Sequence, residues 1–443
     1  MLAPPESPRL CTIARIARGA TIATPILLLH TLSLAEISIG LTGALFLLRS
    51  ALARDWAWLR TPWVRIALAW WIWLIFCSTP GIGPSVGQAG THSFLEALAA
   101  IRFPVFAAAC ETWVLTPAAA RRWLARSVTL TALYIAFQSL LQAFTGRNIQ
   151  GFRRMGDGEL TGPFSKPHAA GPLSRLIFPA LLPPAARLLD RGPWGALAAA
   201  ALTIAAVAVI VLIGQRMPLL LTLLGLLVCA LFLPRLRLPV LAAIVAGGAL
   251  LAASAALSPP TFYRLVTKFS AQMEHFPTTD YGRIAGRALA IAEQHPLTGR
   301  GFDGFRTGCD DPRYFRGWKE LLGGPPNPAD DGGGEAGCNI HPHNHYLEAL
   351  TDAGLPGLAL FTALILAWLI ALARGLWRHP DPLRVGLFAA AVIHEWPIAS
   401  ASSYQAMEVS GFFFVLLGWG LAEARAAALS TSAISPAHAT PTT

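Results

Sequence analysis

The sequence predicts an all-α fold, a polytopic bundle of about twelve transmembrane helices with one large outer loop domain. Three observations lead there. Of 443 residues, 54% are hydrophobic and only 13% charged, about half the charged share of a soluble domain, and mean hydropathy is +0.52. Apolar runs long enough to cross about 30 Å of hydrocarbon recur along the chain, whereas barrel strands would read as short alternating segments. Basic residues collect in alternate loops, so the net charge of +10 reports topology rather than a nucleic-acid partner.

In order, the predicted spans are residues 12–30, 33–50, 64–80, 93–115, 123–144, 169–188, 194–213, 217–233, 238–257, 346–373, 383–403 and 409–428. The first two are separated only around His30 to Glu36 and also read as one long hairpin. Inner loops carry Arg49, Arg54, Arg60 and Arg65, then Arg121, Arg122 and Arg126, Arg187 and Arg191, Arg235 and Arg237, and Arg374, Arg378 and Arg384, which places both termini inside. Arg147, Arg153, Arg154 and Lys166 break the alternation in one outer loop: either the boundaries slip there or those charges have a use. No cleavable signal peptide is expected, because the first apolar region follows Arg9, Arg15 and Arg18 and runs on into further spans. The domain reading is N-terminal helices 1–257, a loop domain 258–345, C-terminal helices 346–428 and a disordered tail 429–443.

The loop domain differs in composition from its surroundings. It holds five of the eleven histidines and an irregular Gly/Pro/Asp segment, Gly323 to Gly337. Asp280 is the expected N-cap of a helix through Gln294, closed by Pro296. Arg283 and Arg287 then share one helix face and oppose the dipole, which suits an anion site; the plain alternative is pairing with Asp280 or Glu293 on a wet surface. Arg216 stands at a break, Gly214 to Pro218, between two apolar runs. It is either a snorkelling anchor or a cation facing a headgroup or phosphate between helices.

The run IHPHNHYLEALTDAGLPGLALF, Ile340 to Phe361, turns a polar loop directly into a hydrophobic helix. His341, His343 and His345 alternate, so a metal site, a general base and plain helix-capping histidines are all open readings. A tetrahedral site lacks a fourth ligand at reliable spacing, while a neutral imidazole suits a base toward a hydroxyl. Cys11, Cys77, Cys110 and Cys229 fall in or beside spans, where thiols act as small hydrophobes. Cys309 and Cys338 both lie in the loop domain and form a disulfide if that side is oxidising. No phosphate-binding G-x-x-x-x-G-K-[ST] run supports ATP-driven transport, and the Asp310/Asp311 and Asp330/Asp331 pairs form no D-x-D metal site.

Four runs together resemble the O-antigen ligase and polymerase superfamily of bacterial membrane proteins. GQRMPLLLTLLG, Gly214 to Gly225, is similar to its arginine at the start of a mid-chain helix. YGRIAGRALAIAEQHPLTGRGFDGF, Tyr281 to Phe305, is similar to its Arg–helix–His-Pro-Leu-x-Gly-x-Gly element, and HPHNHYLEALTDAGLPGLALF to its His-Asn-x-Tyr-Leu re-entry. TGPFSKPHAAGPL, Thr161 to Leu173, resembles a further segment, with His168 where the family usually has Asn. The resemblance implies a GT-C-like, metal-independent, inverting glycosyltransferase of the bacterial inner membrane with its large loop in the periplasm and no cofactor. Its donor would be an undecaprenyl diphosphate-linked glycan and its acceptor the lipid A-core. On that resemblance Arg216 and Arg283 hold the diphosphate and His343 is the catalytic base, with Arg287, Arg300, His341 and Asn344 of second rank. One large outer loop followed by three spans favours a ligase over a polymerase; a protein O-glycosyltransferase is a further alternative. A lipid-linked glycan transporter is the reading from another class, against which the charges gather at one outer face and no inverted repeat is evident.

Overall fold

The computed structural model of the chain describes residues 8–83, 86–327, 329–401 and 403–434. Among them the architecture is all-helical, its one β contact an isolated bridge between Arg147 and Arg153. The first part runs α1 (Pro8–His30), α2 (Leu32–Ala53), α3 (Pro62–Ser78), α4 (Gly90–Ala99), α5 (Arg102–Ala109), α6 (Ala118–Thr145), α7 (Ala170–Leu189), α8 (Pro193–Ile213), α9 (Arg216–Phe232) and α10 (Arg237–Leu257). The loop domain contains α11 (Pro259–Phe262), α12 (Lys268–Glu274), α13 (Asp280–Gln294) and α14 (Trp318–Leu321), and the chain returns through α15 (His345–Ala373), α16 (Pro382–His394) and α17 (Met407–Ile434).

Eight stretches are long and apolar enough to cross a membrane, and α3, α9 and α16 are shorter apolar helices. Such spans satisfy every backbone group internally, so their outer surfaces are free to be apolar. Leu130, Leu133, Leu241 and Ile370 accordingly stand exposed on the outside of the bundle. The two N-terminal helices meet at Thr31 and pack as a hairpin. Trp368, Trp419, Phe361, Phe412 and Phe414 fill the interior where α15 and α17 approach. The loop domain has a small core of its own, built on Ile284, Ala288, Ile291, Phe305 and Tyr314.

Three boundaries depart from expectation. The span drawn over 383–403 ends as helix at His394, because Pro397 disfavours helical backbone at Trp396 and withholds a donor. The cap of α13 is Thr279, whose hydroxyl accepts from the Gly282 N–H at 3.1 Å, in place of Asp280. α17 runs past Ala428 to Ile434, and the rest of the tail expected to be disordered lies outside the described residues. The helix ends around the basic outer loop fall at Thr145 and Ala170, so Arg147, Arg153 and Arg154 do sit in a connecting segment.

One irregularity fixes the loop domain to the bundle. Gly354 inside α15 has φ 67° and ψ −167°, a conformation open to glycine and costly for other residues. The kink frees carbonyls, which the segment after α13 takes up: Arg300 N–H binds Thr351 O at 2.8 Å and Gly301 N–H binds Asp352 O at 2.9 Å. In return Leu355 N–H donates to Pro296 O at 2.7 Å, and Trp73 Nε1 of α3 donates to Ala353 O at 2.8 Å. Every freed group here finds a partner, as buried backbone must.

Candidate functional site

A cavity of about 1160 Å³ lies where α7, α9, α13 and the start of α15 converge, walled on one side by the segment Trp396 to Ala401. Arg216 enters it from the first turn of α9. Gly214 closes α8 at φ 81°, the Ile213 carbonyl accepts from Leu160 N–H at 3.1 Å, and the Gln215 amide donates to the Pro167 carbonyl. This turn aims the helix N-terminus at the cavity, where unpaired N–H groups and the dipole favour an anion. The Arg216 guanidinium donates to Gln272 Oε1 and lies 5.9 Å from the centre of the Phe269 ring. Both partners are neutral, and among the described residues no carboxylate is in ion-pair contact with it.

Two further arginines line the same space. Arg264 bridges Asp157 and, at 2.6 Å, Glu159. Arg175 of α7 is buried, donates to Gly171 O at 2.5 Å, and leaves its Nε without a partner among the described residues. Arg264 is offset by Asp157 and Glu159, so Arg216 and Arg175 are the cations this wall presents to an anion.

Asn344 organises the opposite wall. Its Oδ1 caps α15, accepting from Tyr346 N–H at 3.0 Å and Leu347 N–H at 3.1 Å, and its Nδ2 donates to Pro397 O at 2.7 Å. Ala401 N–H adds a bond to the His343 carbonyl at 2.8 Å. The two segments hold His343 at φ 55°, a strained setting for a residue with a side chain. Asn339 Oδ1 accepts from Ile340 N–H at 2.7 Å, which turns its Nδ2 toward His343 Nε2 at 3.2 Å. His341 Nε2 is 3.2 Å from His343 Nδ1. This network assigns the lone pair of neutral His343 to Nε2 and its proton to Nδ1. Burial lowers the His343 pKa, against the backbone of Ala401, and burial with the neighbouring His343 and His345 lowers His341 to about 4. Both rings are therefore neutral near pH 7.

The histidine run thus splits. His343 lines the cavity, His341 touches it from behind, and His345 turns inward to Glu395 at 3.1 Å. His345, His394 and Glu395 each bring a ligand-type atom within 4.8 Å of the others, a buried trio the sequence reading did not group.

The remaining expected residues lie elsewhere. Tyr281 and Ala285 line the cavity from one face of α13; Arg283, roughly 200° round the helix from Tyr281, rests its stem near Gly333 outside the lining. Arg287 is buried, donating to the carbonyls of Cys309 and Gly334. Arg300 binds Gln88 Oε1 at 2.6 Å and the Tyr314 hydroxyl at 2.8 Å. Cys309 and Cys338 form a disulfide, their Cα atoms 5.1 Å apart.

The family model described as O-antigen ligase matches residues 200–362, which takes in Arg216, Arg283, His343 and Asn344. That stretch, somewhat more than a third of the chain, is similar to the O-antigen ligase family. Comparison with curated proteins gives no match. Arg264, Arg175 and the Trp396–Ala401 wall are parts of the cavity that the sequence reading missed. An arginine inside the apolar run Leu173 to Leu182 was a visible signal, since intramembrane charge is rarely idle. Arg264 carried no such signal, because it reaches the cavity only through the folding of α11 and its continuation.

Proposed function

We propose that the chain is an O-antigen ligase, transferring a glycan from undecaprenyl diphosphate to the lipid A-core on the periplasmic face of the inner membrane. The observation that carries this is the presence of Arg216 and His343 in the wall of one cavity. The departing lipid diphosphate is a concentrated anion, and guanidinium groups with a helix N-terminus stabilise it without a divalent ion. His343 Nε2 accepts the proton of the acceptor hydroxyl as that oxygen attacks the anomeric carbon, exchanging its Asn339 contact for the substrate. Attack opposite the leaving diphosphate inverts the centre. Arg175 adds positive charge around the site, whereas Arg283 stays outside the cavity lining.

The test is transfer in vitro with purified protein in detergent, donor glycan on undecaprenyl diphosphate, rough lipopolysaccharide and chelator, comparing wild type with His343→Ala and Arg216→Ala. Lipopolysaccharide gains the glycan with wild type and not with either folded variant. Lengthening of the carrier-linked chain alone makes the protein a polymerase; loss of wild-type activity in chelator overturns metal independence and directs attention to His345, His394 and Glu395.

A further inference from the structure

At the far end of α15 from Asn344, about 45 Å away at the helical rise, lies a second cavity of about 350 Å³. Its wall includes Arg60, from the turn before α3, Arg374, just past α15, and Arg425 of α17, with a single carboxylate, Glu111. Glu111 already accepts from Trp63 Nε1 at 2.9 Å and lies 3.8 Å from Arg425. Arg60 and Arg374 have no carboxylate in contact among the described residues. Inner-side cations serve topology, but three guanidinium groups around one already partnered carboxylate leave an excess of positive charge that a further anion offsets.

The rest of the wall is apolar. Leu421 is buried, while Leu429 stands 63% exposed at the rim, where a chain-spanning bundle meets acyl chains. Guanidinium forks grip phosphate oxygens in pairs, and basic pockets between membrane helices take lipid headgroups. A free phosphate would satisfy the cations and leave the apolar rim without purpose. We propose that this cavity binds the phosphodiester headgroup of an anionic phospholipid in the leaflet opposite the reaction cavity. This site is independent of the transfer chemistry.

The experiment is native mass spectrometry and thermal unfolding of detergent-purified full chain with phosphatidylglycerol, with phosphatidylcholine of the same acyl chains, and with inorganic phosphate. Wild type retains phosphatidylglycerol and is stabilised by it well beyond phosphatidylcholine. Arg60→Ala with Arg374→Ala weakens that binding about tenfold or more, the scale of one lost charge-assisted contact. Among the described residues neither side chain has an ion-pair partner to strand, so the bundle survives, as the elution profile will show. Arg122→Ala, an exposed cation outside the lining, leaves binding unchanged. Equal binding of both lipids, an unaffected double variant, or full competition by inorganic phosphate overturns the proposal.

Discussion

His341 Nε2 lies 3.2 Å from His343 Nδ1, and this contact leaves Nε2 of His343 as the nitrogen that takes a proton. Because burial lowers the His343 pKa from 6.5, the neutral ring persists below pH 6.5, and if His343 is the proposed base, transfer falls only as pH drops through the lowered value. His341→Ala opens the ring to water and moves that acid limb upward toward 6.5, with the enzyme still active. On the proposed mechanism, His343→Ala removes the base and costs about 10²–10⁴-fold in rate. A pH profile of kcat/KM for the three proteins reads both effects; an unmoved limb in His341→Ala separates the two rings functionally.

Lowered histidine pKa values also bear on stability. His341 falls from 6.5 to about 4 on folding, so between those values the unfolded chain binds the proton and the folded chain does not. Stability therefore declines as pH falls from 6.5 toward 4, and His341→Gln flattens that decline in thermal scans of the detergent-solubilised protein.

Arg264 holds a carboxylate that the fold has otherwise taken from water, the Glu159 side chain being 6% exposed and that of Arg264 21%. Arg264→Ala removes that partner and destabilises by about 1–2 kcal/mol, below the figure for a fully buried pair because the arginine is partly wet and burial, raising the Glu159 pKa to about 7, lets the carboxyl take up a proton. Glu159→Gln costs less, since a neutral amide is cheaper to bury. The order of the two melting temperatures decides the matter.

At Gly354 a methyl group would meet the Leu297 carbonyl carbon at 2.4 Å, on a backbone with φ 67°. Gly354→Ala thus carries strain plus collision and costs upward of about 2 kcal/mol. Gly375, at φ 76° with open space around it, isolates the strain alone at about 1 kcal/mol. Similar losses at both positions, measured by thermal unfolding, would leave the backbone contact without energetic weight.

The disulfide spans 29 residues of the loop domain. Closing a loop of that size restricts the unfolded chain by about 3–4 kcal/mol. Reductant, or Cys309→Ser with Cys338→Ser, accordingly speeds amide hydrogen exchange across Phe305 to Cys338 while the membrane helices keep their protection.

The bundle was legible because spanning a bilayer leaves few options, so apolar length alone located the helices. The motif residues Arg216 and His343 were legible as well, each marking a polar break in an apolar run. What stayed hidden depends on folding across distance. Arg283 shares a motif with Tyr281, yet helical rotation carries the two side chains to different surroundings. The wall at Trp396–Ala401 read as membrane span because its alanines and isoleucine are apolar, and only Pro397 betrayed the break. Arg287 and Arg300 read as ligand-binding cations, whereas the fold spends their donors on its own carbonyls, an amide and a tyrosine.

The backbone bonds that tie residues 296–301 to the kink in α15 limit how the cavity opens. A domain sewn to a membrane helix through its main chain cannot lift away as a lid. For the lipid-linked donor proposed above, access would then come sideways, between helices.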